Sequence, residues 1–471
     1  MASAIPPMWI VRMPTAWHAS PSPMSFTVLR EIEICPLRWS LRRAAYAEVW
    51  SDVGYPGAPR LGALAGQVVH GALERIIQEV QRLSDHAPEV ESCAPTREVV
   101  VDGVAAVVSA LRTLGGITMV LENVLASVVR PLYANPRAES RLAEYEQELR
   151  RQLPLLRQRV QQLLGQVDVS NISKARAADG TDGTADRSGV SRSASEQNRA
   201  NADSALGPGL YAEVSLSNPT LDWYGKADLI RIDGEICEII DFKTGAVKAD
   251  HELQLRIYAL LWHRDMRRNP SARRATHLTL VYPSGRVSIA APTTEELDDL
   301  ANEVAERSAA AHAAIASTPP EARPSRAACE WCDVRQMCER YWESETRATI
   351  DERPSDATAV DAIENPPGPV NGRAEAADVE LRILGIQGEW SWNAMVTAVG
   401  ALSVGLIPGT RVLVRARPRD IFFSRLLRAG NRVRIIGAQH LAPSEESAGR
   451  PVIALGRSTE AFILLAGGQM G

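Results

Sequence analysis

The chain has 471 residues, of which 52 are Lys or Arg and 57 are Asp or Glu, and its net charge is −5. This length allows two to four domains with hydrophobic cores of their own. The slightly acidic balance excludes a protein that binds nucleic acid through a globally basic surface, so any nucleic-acid site must be a local channel.

The lengths of the apolar runs and the distribution of the cysteines indicate the cellular compartment. The sequence contains no continuous run of about 18 apolar residues, so we expect no membrane span. The N-terminal stretch is interrupted by prolines and makes a poor signal peptide. Six cysteines spread unevenly over a long chain favour metal or cluster binding in a reducing cytosol over a disulfide framework. We therefore expect a cytoplasmic protein.

The first part of the chain is predicted to be helical. Between residues 22 and 164 the apolar residues recur at helical spacing, as in GQVVHGALERIIQEV, where Val69, Leu73, Ile76 and Val80 share one stripe. Residues 85–172 are expected to form a helical insertion. Residues 173–209 are rich in Ser, Gly, Asp and Ala, a composition that predicts a disordered linker.

Strands are predicted next. AEVSLS, WYGKADLIRI and EICEIIDFK are short runs rich in Ile and Val, followed by the helical stretch HELQLRIYALLWHRDM and by two further strand-like runs, HLTLVYP and RVSIAA. The run TEELDDLANEVAERSAAAHAAI then predicts an exposed helix. Helices and strands in this order predict an α/β fold for residues 22–345.

Two carboxylates and a lysine meet in this strand region. Asp233-Gly234 between two apolar runs predicts a tight hairpin, and a two-residue loop there would set Asp228 against Ile239. Asp241, two residues beyond Ile239, then lies on the same face as Asp228, diagonally across the hairpin, and Lys243 shares that face.

Two acids and a lysine suit metal-assisted phosphodiester hydrolysis. Carboxylate oxygens favour Mg²⁺ or Mn²⁺, which polarises a phosphate and lowers the pKa of an attacking water. Lys243 would offset the charge that develops on the phosphate. The alternative is that Asp241 and Lys243 form a solvated ion pair at a strand end, which is the usual meaning of an isolated Asp-x-Lys.

The order of motifs favours the site. GQVVHGALE, YGKADLIRI, EIIDFKTG and LQLRIYALLW, followed by a cysteine group, resemble the RecB-like branch of the PD-(D/E)XK nucleases, which includes Cas4-type and AddB-type enzymes and the Dna2 nuclease domain. The resemblance covers residues 22 to 341. It implies a restriction-endonuclease-like mixed sheet flanked by helices, with the site residues His70, Asp228, Asp241, Lys243, Gln254 and Tyr258.

The resemblance gives each of these residues a role, and most have an alternative. His70 would be a metal ligand with Asp228 and Asp241, although a single helical histidine is more often a core residue. Gln254 and Tyr258, at i and i+4 of one helix, would support the lysine or the substrate, or form a polar edge of a packing helix. Glu213, in the strand before Asp228, could lie near the metal or serve the structure.

The cysteines form a second candidate site. Cys329, Cys332 and Cys338 have C-x2-C-x5-C spacing, and Cys35 is the candidate for a fourth ligand; spacing alone fits zinc as well as iron–sulfur. The resemblance separates the two, because some RecB-like nucleases bind a [4Fe–4S] cluster through one N-terminal and three C-terminal cysteines. Cys237, in a strand without a cysteine neighbour, is predicted to be a core residue.

The last part of the chain is predicted to be a separate small domain. Residues 346–377 form a second linker with a Pro-Pro-Gly-Pro break, and residues 378–467 contain short strand-like runs typical of an OB-like β-barrel. Basic and aromatic residues are interleaved there, which favours single-stranded nucleic-acid binding; the alternative is a solvated arginine face over core phenylalanines. The candidate binding residues are Arg415, Arg417, Phe422, Phe423 and Arg425.

Together these features predict a metal-dependent DNA nuclease stapled by an iron–sulfur cluster, with exonucleolytic rather than endonucleolytic action, in repair, recombination or defence. The sequence contains no G-x-x-x-x-G-K-[ST] phosphate-binding loop, so a separate helicase would have to open duplex DNA. Two alternatives stay open: a nuclease-like subunit that binds DNA for a helicase without cutting it, and a zinc-stapled nucleic-acid-binding protein.

Overall fold

The computed structural model of this protein describes eight ranges of the chain: 9–49, 54–85, 103–167, 205–346, 375–403, 405–416, 426–456 and 459–465. The two predicted linkers, 173–209 and 346–377, lie almost entirely outside these ranges. The sixth cysteine, Cys93, also lies outside them. Disorder in the linkers therefore stays a prediction.

Six helices form the first part of the described chain: α1 (Phe26–Ile34), α2 (Pro36–Arg43), α3 (Leu61–Asp85), α4 (Gly103–Thr113), α5 (Ile117–Val129) and α6 (Leu142–Leu164). The Ser25 hydroxyl accepts a hydrogen bond from the Val28 N–H and caps α1, and Pro36 occupies the first turn of α2, where no intrahelical donor is needed. The apolar stripe of α3 is buried against α5 and α6. The predicted helical insertion thus packs onto the helix that carries His70.

One segment of this insertion, Ile117–Ala134, is long and apolar enough to span a membrane by length and composition alone. Its apolar residues, including Val120, Leu121 and Val124, are buried in the same cluster as the apolar stripe of α3. Because 39% of the segment is buried, the expectation that the protein has no membrane span stays a prediction.

A five-stranded sheet follows, made of β1 (Gly209–Asn218), β2 (Trp223–Asp233), β3 (Ile236–Phe242), β4 (His277–Tyr282) and β5 (Gly285–Ile289). The strands lie in chain order; β3 and β4 are parallel, and the other neighbours are antiparallel. Helix α7 (Ala249–Arg264) makes the connection between the parallel strands, and α8 (Thr294–Ala314) follows β5. The predicted mixed α/β architecture is confirmed.

The sheet has a core on each face. Leu229, Ile240 and Phe242 pack with α3, α5 and α6, whereas Ile230 and Ile239 pack with α1, α7 and α8. Because successive strand residues point to opposite faces, the parallel strands β3 and β4, which are covered on both faces, each bury a nearly continuous and mostly apolar run.

The hairpin between β2 and β3 differs from our prediction by one position. Asp233 pairs with Ile236, so the two-residue loop is Gly234-Glu235 rather than Asp233-Gly234. Gly234 has a φ of 53°. A glycine with positive φ at the first loop position is the arrangement of type II′ hairpins, and this requirement sets the register.

The shift changes how the two acids meet. Ile239 pairs with Ile230 instead of facing Asp228, and the ladder runs to the pair Leu229–Ile240. Its continuation sets Asp228 directly opposite Asp241. The predicted diagonal relation is therefore wrong, but the two carboxylates still lie on one face, because paired residues of a hairpin share a face.

The C-terminal part is a small barrel. Its strands are β6 (Glu375–Gly388), β7 (Ser391–Val399), β8 (Arg411–Arg415), β9 (Arg432–Leu441), β10 (Val452–Ala454) and β11 (Glu460–Leu464). Strand β10 pairs in parallel with β8 and antiparallel with β9, which closes a ring of five strands, and β11 adds to β9. The predicted β-barrel is confirmed.

The barrel is joined to the rest of the protein through buried polar contacts. The Asp378 carboxylate, near the start of β6, accepts hydrogen bonds from Arg335 and Tyr341 at 2.6 Å each. Arg137, 5% exposed, forms a bidentate ion pair with Glu460 of β11. The barrel therefore packs against both the cysteine-bearing segment and the helical insertion.

Candidate active site

The acidic residues lie at the point where alternate residues of a strand stop packing on one layer of helices and begin to pack on the other. In β1, Leu210 and Ala212 pack with the α3 layer, whereas Val214 and Leu216 pack with the α7 layer. Glu213, at the change, has a φ of 54°, an uncommon value for a residue other than glycine. Such backbone irregularities concentrate at functional sites.

Asp228 is held between two elements. Its Oδ2 atom accepts a hydrogen bond of 2.7 Å from the backbone N–H of Phe242, and the same oxygen lies 3.7 Å from Nδ1 of His70 on α3. Burial, followed by the nearby Asp241 carboxylate, raises the pKa of Asp228 well above its usual value. A buried carboxylate with a raised pKa is stabilised in its ionised form by a nearby positive charge.

Asp241 is 3% exposed, and burial also raises its pKa, against the opposing effect of Lys243. Its Oδ2 atom lies 2.5 Å from Nζ of Lys243, but without the directionality of a normal hydrogen bond. The pair is thus a close ion pair whose carboxylate oxygen still has unused hydrogen-bonding capacity.

Lys243 is held by the helix that follows the strand. Its Nζ donates a 2.8 Å hydrogen bond to Oε1 of Gln254, and Nε2 of Gln254 donates one of 2.8 Å to the hydroxyl of Tyr258. The pKa of Tyr258 is raised, mainly by burial, so the phenol stays protonated. The structure brings these three predicted residues into one chain that positions the ammonium.

Two glycines let the helices come this close. A Cβ on Gly225 of β2 would lie 2.9 Å from side-chain atoms of Tyr258 and Leu261 on α7. A Cβ on Gly66 of α3 would lie 3.2 Å from Oγ1 of Thr244, just after Lys243. Both distances are shorter than ordinary contacts, so the glycines in the two quoted motifs serve close packing around the site.

These side chains surround an open pocket of about 370 Å³, lined by His70, Asp228, Asp241, Lys243, Gln254 and Tyr258 together with Thr244, Gly245, Ala246, Lys248 and His251. Our sequence reasoning missed His251. Helical spacing could have found it, because His251, Gln254 and Tyr258 fall at i, i+3 and i+7 on one face of α7.

Glu213 lies beside this group. Its neighbours Ala212 and Val214 pair with Leu229 and Ala227, which places Glu213 across from Asp228, and its carboxylate forms an ion pair with Lys226. The negative charge of Glu213 also contributes to the raised pKa values of Asp228 and Asp241. Glu213 thus adds to the negative potential of the site while its own charge is held by Lys226.

The donor set suits a hard divalent cation. Asp228 and Asp241 supply carboxylate oxygens whose ionised forms are disfavoured by burial and, for Asp228, also by the charge of Asp241; a cation would relieve both effects. Burial lowers the pKa of His70, which keeps its ring in the neutral form that binds metals. Within the described ranges no group of three such side chains is already arranged to hold a metal ion; Lys243 instead faces Asp241.

The four predicted cluster cysteines come together as well. Cys35, between α1 and α2, lines a largely apolar pocket with Cys329 of α9 (Arg326–Glu330), Cys332 and Cys338, which precedes α10 (Glu339–Trp342). All four are free thiols, and among the described residues they, like the acidic side chains, are not already arranged to hold a metal ion. Burial raises the pKa of Cys332 and of Cys338 to about 12 in the protein alone. Thiols in this state ionise when a metal binds them.

The predicted nucleic-acid residues of the barrel are only partly described. Arg415, at the end of β8, donates a 3.1 Å hydrogen bond to the backbone oxygen of Glu446 and lies 3.6 Å from its carboxylate. Arg417, Phe422, Phe423 and Arg425 lie outside the described residues. Their role in binding stays a prediction.

Comparison with curated protein sequences gave no match. A family model described as the PD-(D/E)XK nuclease superfamily matches residues 23–339, about two thirds of the chain. The matched range contains the mixed sheet, α3 and the whole pocket around Asp228, Asp241 and Lys243. The chain therefore belongs to the PD-(D/E)XK nuclease superfamily.

Proposed function

We propose that this chain is a metal-dependent deoxyribonuclease of the RecB-like branch of its superfamily. The observation that carries the proposal is the ammonium of Lys243, held between Asp241 and Gln254 at the wall of an open pocket. A structural ion pair needs neither the opening nor the Gln254–Tyr258 support.

The residues have complementary roles in this proposal. Asp228, Asp241 and His70 would hold Mg²⁺ or Mn²⁺, which polarises the phosphodiester and lowers the pKa of a bound water. Lys243 stabilises the negative charge that develops on the phosphate, and Gln254 keeps the ammonium aimed at it. Tyr258 holds the amide of Gln254 in turn.

We propose single-stranded or helicase-opened DNA as the substrate, cut exonucleolytically. The closed five-stranded barrel supports an OB-like domain, a type that binds single strands by stacking and phosphate contacts. A helicase partner is supported by the sequence, which has no phosphate-binding loop. A cytoplasmic role in repair, recombination or antiviral defence fits this chemistry.

A [4Fe–4S] cluster at Cys35, Cys329, Cys332 and Cys338 is part of the proposal, with zinc as the alternative ion. The support is the convergence of four thiols from two distant segments on one apolar pocket. Such a cluster would staple the N-terminal helices to the segment that carries the barrel.

Cleavage of end-labelled single-stranded and duplex DNA with Mg²⁺ or Mn²⁺ tests the nuclease. We expect the wild type to cut and Lys243→Ala and Asp241→Ala not to cut, whereas Asp298→Asn, an exposed carboxylate paired with Arg264, should match the wild type. A folded wild-type protein that cuts neither DNA would reject the nuclease and favour a non-cutting DNA-binding subunit.

A further inference from the structure

A histidine–tyrosine pair lies beside the catalytic residues. His251, in the first turn of α7, lines the same pocket as Asp241 and Lys243. Its Nδ1 atom lies 2.8 Å from the hydroxyl of Tyr282, the last residue of β4. None of the motifs that define the catalytic group includes either residue.

The hydroxyl of Tyr282 decides which nitrogen of His251 carries the proton. Tyr282 is 1% exposed, and burial raises its pKa to about 12, so the phenol is protonated. Its buried O–H needs an acceptor, and within the described part of the chain Nδ1 of His251 is the partner. Nδ1 therefore accepts, and this hydrogen-bond network assigns the ring proton to Nε2.

The surroundings keep the ring neutral. Burial, followed by the charges of Lys243 and Lys248, lowers the pKa of His251 to about 4, and Asp250 opposes them. The Asp250 carboxylate is occupied by Arg30, which donates hydrogen bonds of 3.0 and 2.9 Å to it. At neutral pH, His251 is thus an N–H donor with its other nitrogen already used.

We propose that Nε2–H of His251 donates a hydrogen bond to a non-bridging phosphate oxygen of the DNA strand in this pocket, which makes His251 a substrate-positioning residue. The proposal rests on the proposed function and adds a contact to it. Lys243 and Lys248 line the same pocket, and their positive charges suit an anion. A general base is a different role, which the occupied Nδ1 and the protonated Nε2 argue against.

Four substitutions test the contact. His251→Gln keeps an amide donor close to the place of Nε2, whereas His251→Asn places its amide near Nδ1, and His251→Phe removes both nitrogens while keeping the ring. Tyr282→Phe removes only the O–H that sets the tautomer. His312→Asn on α8, outside the pocket, is the control, and melting curves identify any variant that does not fold.

We first measure binding of a short labelled single strand in EDTA, where cleavage is not needed. From the usual free energy of a hydrogen bond to a charged group, we expect His251→Asn and His251→Phe to lose about 10-fold or more in affinity. His251→Gln should stay within about 3-fold of the wild type, and Tyr282→Phe should fall between them, because both tautomers become accessible. Unchanged affinity in the Asn and Phe variants, or no DNA binding by the wild type, would overturn the proposal.

Kinetics separate positioning from proton transfer. With a divalent cation, we expect the same two variants to raise KM while kcat and its pH profile stay close to those of the wild type. A loss confined to kcat, or the disappearance of a pH limb near neutrality, would show that His251 transfers protons and would overturn the proposal. If binding depends on His251 but no protein cuts DNA, the phosphate contact stands and the nuclease proposal fails.

Discussion

The Oδ2 atom of Asp228 accepts a 2.7 Å hydrogen bond from the backbone N–H of Phe242, the residue that follows Asp241. This bond crosses the open end of the hairpin, beyond the last paired residues of β2 and β3. It fixes the distance between the two strands at the point where their carboxylates meet. One carboxylate is therefore used both for structure and for the proposed metal site.

This double use predicts that two substitutions at Asp228 behave differently. Asp228→Asn keeps an oxygen that accepts from Phe242 and removes a buried charge, so we expect a metal-free stability at least equal to that of the wild type. Asp228→Ala leaves the N–H unpaired, and we expect a loss of about 1–3 kcal/mol. Both should abolish cleavage. Urea unfolding in EDTA and DNA cleavage measure the two effects, and equal stabilities for Asn and Ala would contradict the structural role.

The support of Lys243 predicts a graded effect along α7. Gln254→Leu removes the acceptor of a charged donor, which should lower kcat by about 10- to 100-fold. Tyr258→Phe removes only the acceptor of the Gln254 amide, and a loss of about 3- to 10-fold is expected. Steady-state kinetics measure kcat for both variants, and Tyr133→Phe at an exposed site is the control. A larger effect for Tyr258→Phe than for Gln254→Leu would show that the hydroxyl contacts the substrate itself.

The junction between α1 and α8 predicts a pH-dependent stability. Burial favours a higher pKa for Glu33, but hydrogen bonds from Arg307 and Arg30 outweigh it and lower the pKa. A lowered pKa contributes stability above the unfolded value of about 4.3, and that stability is lost as the pH falls through the folded pKa. Glu33→Gln should therefore be less stable than the wild type at pH 7 and equal to it at low pH.

Thermal melting of Glu33→Gln between pH 7 and pH 3 measures this difference. Glu303→Gln is the matched control, because Glu303 is an exposed partner of the same arginine, Arg307. A difference between wild type and Glu33→Gln that stays constant over the whole range would exclude the linkage.

The cysteine pocket predicts a coloured protein. Anaerobically purified wild type should show visible absorbance with iron and sulfide in near 1:1 ratio, and Cys35→Ser and Cys338→Ser should lose it. Cys237→Ala, at a buried strand position away from this pocket, should keep the colour. Colourless protein with one zinc per chain would assign the alternative ion, and metal analysis distinguishes the two.

Much of the site could be predicted because its residues have local patterns. Asp241 and Lys243 end a strand of apolar residues, and Gln254 and Tyr258 share a helix face, so period-2 and period-3.6 spacing place them correctly. Gly225 and Gly66 also belong to these patterns, although the sequence does not show what they contact. His251 lies on the same helix face as Gln254 and Tyr258. It was not predicted as a site residue because it belongs to none of the quoted family motifs.

The sequence by itself determined the elements, the mixed α/β class and the strand end that carries the two acids, because these depend on residue type and on spacing along the chain. Only the tertiary structure decided the Gly234-Glu235 loop, the contact of Asp228 with Phe242 and the pairing of His251 with Tyr282. Each of these depends on how segments far apart in the chain meet. Such contacts are set by packing and by the hydrogen-bonding needs of buried polar groups, which local patterns do not contain.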